Sequence, residues 1–274
     1  MPEGHTLHRL ATELAETFAG QRIAASSPQG RFTEGAALLD GSVLETAESA
    51  GKHLLVGFDT GSSLHVHLGL IGSFSIHPAP MSSPVGAVRL RLQGSDSYAD
   101  LRGPMICEVL SEHQSDALLA RLGPDPLRPD ADPDLAWQRI HRSKAPIGVL
   151  VMDQSVLSGV GNVYRAEILF RARLDPHRPG QRVRRSQWLA MWADLVALMH
   201  DGVRTGRIDT VRGAHTPEAM GREPRVDDHG GEVYVYRRSG QPCHVCRTRI
   251  RTEVISGRNL FWCPRCQRSS VTRR

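Results

Sequence analysis

The stretch DQSVLSGVGNVYRAEILFRARLDP (153–176) decides how this chain is read. Apolar residues recur every three to four positions on both sides of SGVGN (158–162). The pattern predicts helical segments broken by a glycine-rich turn, with the later helix opening near Asn162. Glycines let a backbone approach a ligand closely, and exposed amides at a helix start favour anions. A phosphate fits there. An ordinary turn between helices is the competing reading of this segment alone.

Helical periodicity continues outward in PDLAWQRIHR (133–142) and RSQWLAMWADLVALMHDGVRTG (185–206). Upstream, the proline-rich RLGPDPLRPDADPD (121–134) reads as an interdomain linker. Before it, residues 20–111 alternate short apolar runs with glycine turns, as in SVLETAESAGKHLLVGFD (42–59) and SSLHVHLGLIGSFSIH (62–77), which predicts antiparallel β structure. Leu7, Leu10, Leu14 and Phe18 place an amphipathic helix over 5–19, and the polar 206–232 reads as a long mobile loop. The expected organisation is a domain over 1–120, a linker over 121–134, a helical domain over 135–236 and a terminal module over 237–274.

At 274 residues, 40% hydrophobic and 23% charged, the chain has the composition of a globular protein of about two domains. No apolar run nears the about 20 residues of a membrane helix, and the N-terminus lacks a signal pattern. A cytoplasmic location is expected. The net charge of +5 is unevenly spread: residues 237–274 hold ten arginines, no lysine and one acid, hence +9, leaving −4 for the rest. Arginine's planar fork suits phosphate, and a local cationic patch is the footprint of nucleic-acid binding. A solvated tail is the plainer alternative.

Cys243, Cys246, Cys263 and Cys266 are spaced C-x2-C-x16-C-x2-C, which matches a tetrahedral zinc site with a hairpin between its two knuckles. A reducing compartment disfavours the competing readings, redox pairs and disulfides. Cys107 in MICEVL (105–110) reads as a buried strand residue. His65 and His67 share a strand face, where satisfied histidines are commoner than metal ligands. At the other end, excision of Met1 exposes Pro2 as a secondary amine. A terminal amine has a pKa of roughly 8, against about 10.4 for lysine, so it is a poised nucleophile.

Taken in order, MPEG (1–4), AGKHLL (50–55), HLGLIGS (67–73), the stretch at 153–176 and the finger with SGRNLFWCPRCQ (256–267) resemble the bacterial formamidopyrimidine-DNA glycosylase and endonuclease VIII family along the whole chain. The resemblance implies an α+β fold. An N-terminal β-sandwich with flanking helices faces a helical domain containing a helix-two-turn-helix motif, followed by a zinc finger with one structural Zn2+, and damaged DNA lies between. It implies a bifunctional glycosylase and AP lyase of base excision repair acting on a flipped nucleotide. Pro2 would attack C1′ of the sugar, and the resulting iminium would drive successive β- and δ-eliminations. Glu3 resembles the family's general acid, and Lys52 the lysine near the reacting sugar. Asn162 and Arg258 occupy phosphate-binding positions, Leu70 the wedge that fills the flipped base's place, and Arg102 a second wedge element. The partner would be duplex DNA, with bubble or single-stranded DNA also expected, and the protein a monomer.

The departures are Thr6, where the family usually has a second glutamate, and the lack of a phenylalanine beside Arg102, so the vacated space is expected to be filled incompletely. The opening PEGHTLHRL (2–10), with Gln154 and Arg165, is closer to the endonuclease VIII branch. Oxidised pyrimidines are therefore the expected substrates, and oxidised guanine the alternative. A zinc protein that binds damage without cutting is a further class, against which Pro2, Glu3 and Lys52 all stand.

Overall fold

The computed structural model describes residues 2–227 and 231–268. The chain forms two compact units, divided after Arg121. The first begins with α1 (Gly4–Phe18), whose apolar stripe of Leu7, Leu10, Leu14 and Phe18 is buried. β1 (Ala24–Ser26), a short α2 (Thr33–Leu39) that periodicity did not announce, and β2 (Leu44–Ala50), β3 (His53–Phe58) and β4 (Ser62–His67) follow. Then come β5 (Ser73–Pro78), β6 (Val88–Gln93), β7 (Ser97–Arg102), β8 (Ile106–Ser111) and α3 (Glu112–Leu119). The strands make two antiparallel sheets, β1-β6-β7-β5 and β2-β3-β4-β8. Leu54, Val56, Leu64 and Val66 of one sheet and Leu90, Leu92, Ala99 and Leu101 of the other bury into one core with α1. The period-two alternation of apolar residues thus builds the expected sandwich. Cys107 lies on β8 as expected but is half-buried rather than sealed; burial pushes its thiol up to about 12.

The second unit holds α4 (Pro133–His141), α5 (Ile147–Leu150), α6 (Asn162–Arg171), α7 (Arg185–Thr205), α8 (Pro217–Met220) and the hairpin of β9 (Arg251–Ile255) and β10 (Arg258–Trp262). The stretch 121–134, read from sequence as a linker, packs from Gly123 onward as part of this unit. Gly123 N–H donates to the Gln154 carbonyl at 2.8 Å, and Leu127 and Asp125 are buried. Proline there sets turns, and Asp125 accepts from the Leu127 amide at 2.9 Å, so what looks like spacer composition is turn chemistry. The finger shares a core with the helices, since Cys243, Cys263, Ile250 and Phe261 belong to the same buried cluster as Val163, Tyr164 and Trp188.

Glu167 of α6 is fully buried and ties this unit together. Its carboxylate accepts from the amides of Tyr234, Val235 and Tyr236 at 2.7, 2.8 and 2.8 Å, and from the Thr210 hydroxyl at 2.5 Å. The loop expected over 206–232 is thereby fastened at its base, where Thr210 N–H also donates to the Glu232 carbonyl at 2.8 Å. Its residues 228–230, like 269–274 of the finger, lie outside the described residues. Glu167→Ala removes an acceptor from several buried donors at once. It should destabilise the second unit by about 3 kcal/mol or more, seen as an earlier urea midpoint in the fluorescence of Trp188 and Trp192. An unchanged midpoint would mean the amides find other acceptors.

Candidate active site and zinc centre

Glu3 sits at the N-cap of α1 with extended backbone (φ −119°, ψ 180°), and its carbonyl accepts from Thr6 N–H at 2.9 Å. Pro2 precedes it, half-buried, while Glu3 itself is sealed from solvent. Where the sequence departs from the family at Thr6, the hydroxyl lies 3.3 Å from Nε2 of His5. Burial lowers the pKa of His5 to about 4, and the charge of the chain terminus adds to this. α1 packs along β2, and His8 Nδ1 meets the Ser49 hydroxyl at 3.4 Å. Lys52 stands in the turn just after β2, with Gly51 at φ +60°; at the far end Gly20 N–H donates to the Leu44 carbonyl at 2.8 Å, so α1 runs antiparallel to β2 and Pro2 and Glu3 lie towards the end of the sandwich that carries Lys52.

Leu70 is 55% exposed at the tip of a turn closed by Gly72 N–H donating to the Leu68 carbonyl at 3.0 Å. Two residues missed by sequence reasoning join it. Ile71 is 88% exposed, and Met105, 64% exposed, lies against Gly69, where an added Cβ would come within 2.9 Å of Met105 Cβ. The signal was Gly69 itself: its φ of +70° and the close approach both require glycine. Arg102 is committed elsewhere. Its guanidinium donates to Asp100 at 2.7 Å and to the Val85 carbonyl at 3.0 Å, while Arg91 grips the same buried Asp100 in a fork of 2.6 and 2.7 Å. Burial works to raise the Asp100 pKa, but these guanidinium contacts outweigh it and hold the carboxyl below its usual range.

In the second unit, Asn162 opens α6 and is nearly buried. Its Nδ2 donates to the backbone carbonyl of Asn259 at 3.0 Å, and Arg165, 1% exposed, donates to the same carbonyl at 2.9 Å and to Asn162 Oδ1. The hairpin is thus pinned to the helix start, with Arg258 exposed at the head of β10 beside a two-residue turn, Ser256 (φ +48°) and Gly257 (φ +72°). Gln154 donates to the Met152 and Val160 carbonyls at 2.8 and 3.0 Å and accepts from Gly159 N–H at 3.1 Å, stapling the glycine-rich turn. Gln154 and Arg165, which marked the branch in sequence, are therefore scaffold for Asn162 and the hairpin.

The four expected cysteine sulfurs lie within 4.8 Å of one another, with Cys246–Cys263 at 3.4 Å and Cys243–Cys266 at 3.9 Å. A tetrahedron of Zn–S bonds of about 2.3 Å has sulfurs about 3.8 Å apart, so the donor set fits zinc. Burial favours the neutral thiol of Cys246, but hydrogen bonds from Thr248 outweigh it and bring this thiol down to about 6.

Family comparisons agree with this division of parts. The formamidopyrimidine-DNA glycosylase N-terminal domain matches residues 1–105, its H2TH domain 122–212, and the zinc finger found in FPG and IleRS 240–268. Endonuclease 8 1 of Mycobacterium tuberculosis is 49% identical over 274 residues, covering 97% of this chain and 100% of the relative. The chain belongs to the formamidopyrimidine-DNA glycosylase and endonuclease 8 family. This is a family of DNA glycosylases that also act as AP lyases, and the chain is one of them, with one structural zinc. The formamidopyrimidine-DNA glycosylase of Thermus thermophilus is 30% identical over 236 residues, covering 84% of this chain and 85% of that one. Lactococcus lactis Fpg, solved with abasic-site DNA, superposes with a TM-score of 0.78 at 21% identity, covering 97% of this chain and 100% of that one; the likeness is one of fold. No helix among the described residues is long and apolar enough to cross a membrane.

His5 gives this glycosylase an acid-sensitive spot. Its folded-state pKa of about 4 lies below the ordinary 6.5, so between these values the unfolded chain binds the extra proton. The stability from keeping His5 neutral is complete above pH 6.5 and is lost as pH falls towards 4. Denaturant midpoints measured across that window should fall with acidification, and His5→Gln should fall less. Equal slopes would remove His5 as the cause.

Proposed function

We propose that the chain excises oxidised pyrimidines from DNA through a Schiff base at Pro2, followed by β- and δ-elimination, as a monomer acting on nucleoid DNA in the cytoplasm. The observation that carries this reading is the gathering of Pro2, a sealed Glu3 and Lys52 at one end of the sandwich. With Met1 removed, the Pro2 amine attacks C1′ and the base leaves as Glu3 protonates the opening ring oxygen. The iminium has no N–H to lose, so its positive charge acidifies C2′–H: a base at the site takes the proton, the C–H electrons form C2′=C3′, and the 3′ phosphate leaves with the electrons of the C3′–O bond. As its ammonium Lys52 meets a sugar phosphate, and as its neutral amine it takes a proton. Asn162 and Arg258 hold flanking phosphates.

Leu70, Ile71 and Met105 together supply an apolar wedge for the space of the flipped nucleotide, so Met105 stands in for the absent phenylalanine. Apolar side chains read shape. Arg102 spends Nε on the Val85 carbonyl and Nη2 on Asp100, which disfavours a bidentate hold on the opposite base and fits the pyrimidine branch, as does the likeness to an endonuclease 8 relative. The anchored segment over 206–232, with α8 at its centre, supports oxidised guanine as the second reading, because a loop in this region caps that base in the other branch.

Borohydride should join processed protein covalently to abasic and dihydrouracil-containing DNA, and a residue retained ahead of Pro2 should abolish the adduct. Trapping that survives a blocked terminus and maps to Lys52 would overturn the assignment. In single-turnover excision, dihydrouracil should leave faster than oxidised guanine opposite cytosine. Rates should differ by less than about tenfold among opposite bases, since a bidentate base contact worth ~1–3 kcal/mol is missing. The reverse lesion order would place the chain in the purine branch.

A further inference from the structure

A row of titratable side chains crosses three neighbouring strands on the sheet face opposite Leu64 and Val66. Glu108 of β8 pairs in register with His65 of β4 and meets its Nδ1 at 2.9 Å. His65 Nε2 in turn meets Nδ1 of His53, the first residue of β3, at 2.9 Å, with the rings stacked at 30°. His67 stands edge-on to His53 at 5.2 Å, and its Nδ1 accepts from Gly69 N–H at 3.0 Å, which leaves the proton on Nε2. His65 is only 2% exposed. Packing alone asks for none of this, since an aliphatic residue fills such a position without polar atoms to satisfy.

The two ends of the row differ. Glu108 is half exposed, with 51% of its side chain in solvent, whereas His53 directly follows Lys52 in a mostly buried position. The groups facing His53 are His65 and His67 of β4, Lys52 of the preceding turn and Arg121 beyond α3, and burial together with these lowers its pKa to about 4. Towards Ser49 the adjoining titratable group is His8 of α1. Cations crowd the inner end, and the row's own carboxylate stands at the outer end. An added proton is therefore drawn outward.

We propose that His53, His65 and Glu108 form a proton relay between the Lys52 end of the active site and bulk water, serving the elimination steps; this rests on the Pro2 lyase reading. His53 Nε2 takes up a proton released at the sugar or from the Lys52 ammonium, while His53 Nδ1–H passes to His65 Nε2. His65 Nδ1–H passes to Glu108 Oε1, which gives its proton to water. One proton enters and one leaves. Each ring ends as its other tautomer, and the reverse transfers reset it.

The test separates Schiff-base formation from elimination on abasic DNA, using Glu108→Ala at the exposed end and His53→Ala at the inner end. Borohydride trapping should match the parent protein, while single-turnover elimination falls by about tenfold with a changed pH profile. Added imidazole should restore the His53→Ala rate. Parental elimination rates at every pH, or a loss that imidazole leaves unrepaired and that follows a lowered Tm, would overturn the relay. Failure of the parent protein to be trapped would instead sink the Pro2 reading. The relay is then decided by imidazole 15N NMR without DNA, where Glu108→Ala must change the tautomer signals of both His65 and His53. Unmoved His53 signals would end it.

Discussion

The second unit depends on one buried carboxylate. Glu167 collects the amides that lead into the finger and the hydroxyl at the base of the preceding loop, and it does so from the helix that Asn162 opens. A charge removed from water is tolerated only when its lone pairs are filled. The segment 234–236 therefore has little freedom to leave α6 while the helix exists. The zinc centre, which begins seven residues later at Cys243, inherits that position, and Gln267 adds a second tie by donating to the Leu174 carbonyl at 3.1 Å.

Arginine serves opposite ends here. Arg165, Arg238 and Arg91 are nearly buried and spend their forks on backbone carbonyls or on Asp100, whereas Arg258 faces solvent. A count of arginines along the chain therefore overstates the number that can meet a ligand at the surface. Arg102 shows the distinction most clearly. The family resemblance leads one to expect a DNA contact from it, yet its guanidinium is already held by Asp100 and the Val85 carbonyl.

Local features were legible in sequence. The α1 stripe, the strand alternation, the turn before Asn162 and each Cys-x2-Cys knuckle act through neighbours a few residues apart, and each appears where its pattern placed it. What was hidden depends on register and on distant packing. Nothing near Leu127 announces that a proline-rich stretch would bury it against the helices, and nothing near Met105 places it beside Gly69. His65 was visible on a strand face, but its meaning required knowing that Glu108 and His53 flank it on neighbouring strands. Gln154 and Arg165 mark the endonuclease VIII branch in sequence, but their scaffold role is hidden there, because their partners include main-chain carbonyls that no side-chain pattern reports.

The hairpin's attachment to α6 has a consequence of its own. Asn162 and Arg165 both close on the carbonyl of Asn259, an atom every residue at that position possesses. The joint is therefore blind to the side chain it grips. The exposed residues of the hairpin are free to drift over evolutionary time, retuning which nucleic-acid surfaces it meets, while the angle at which it is presented stays inherited from the helix.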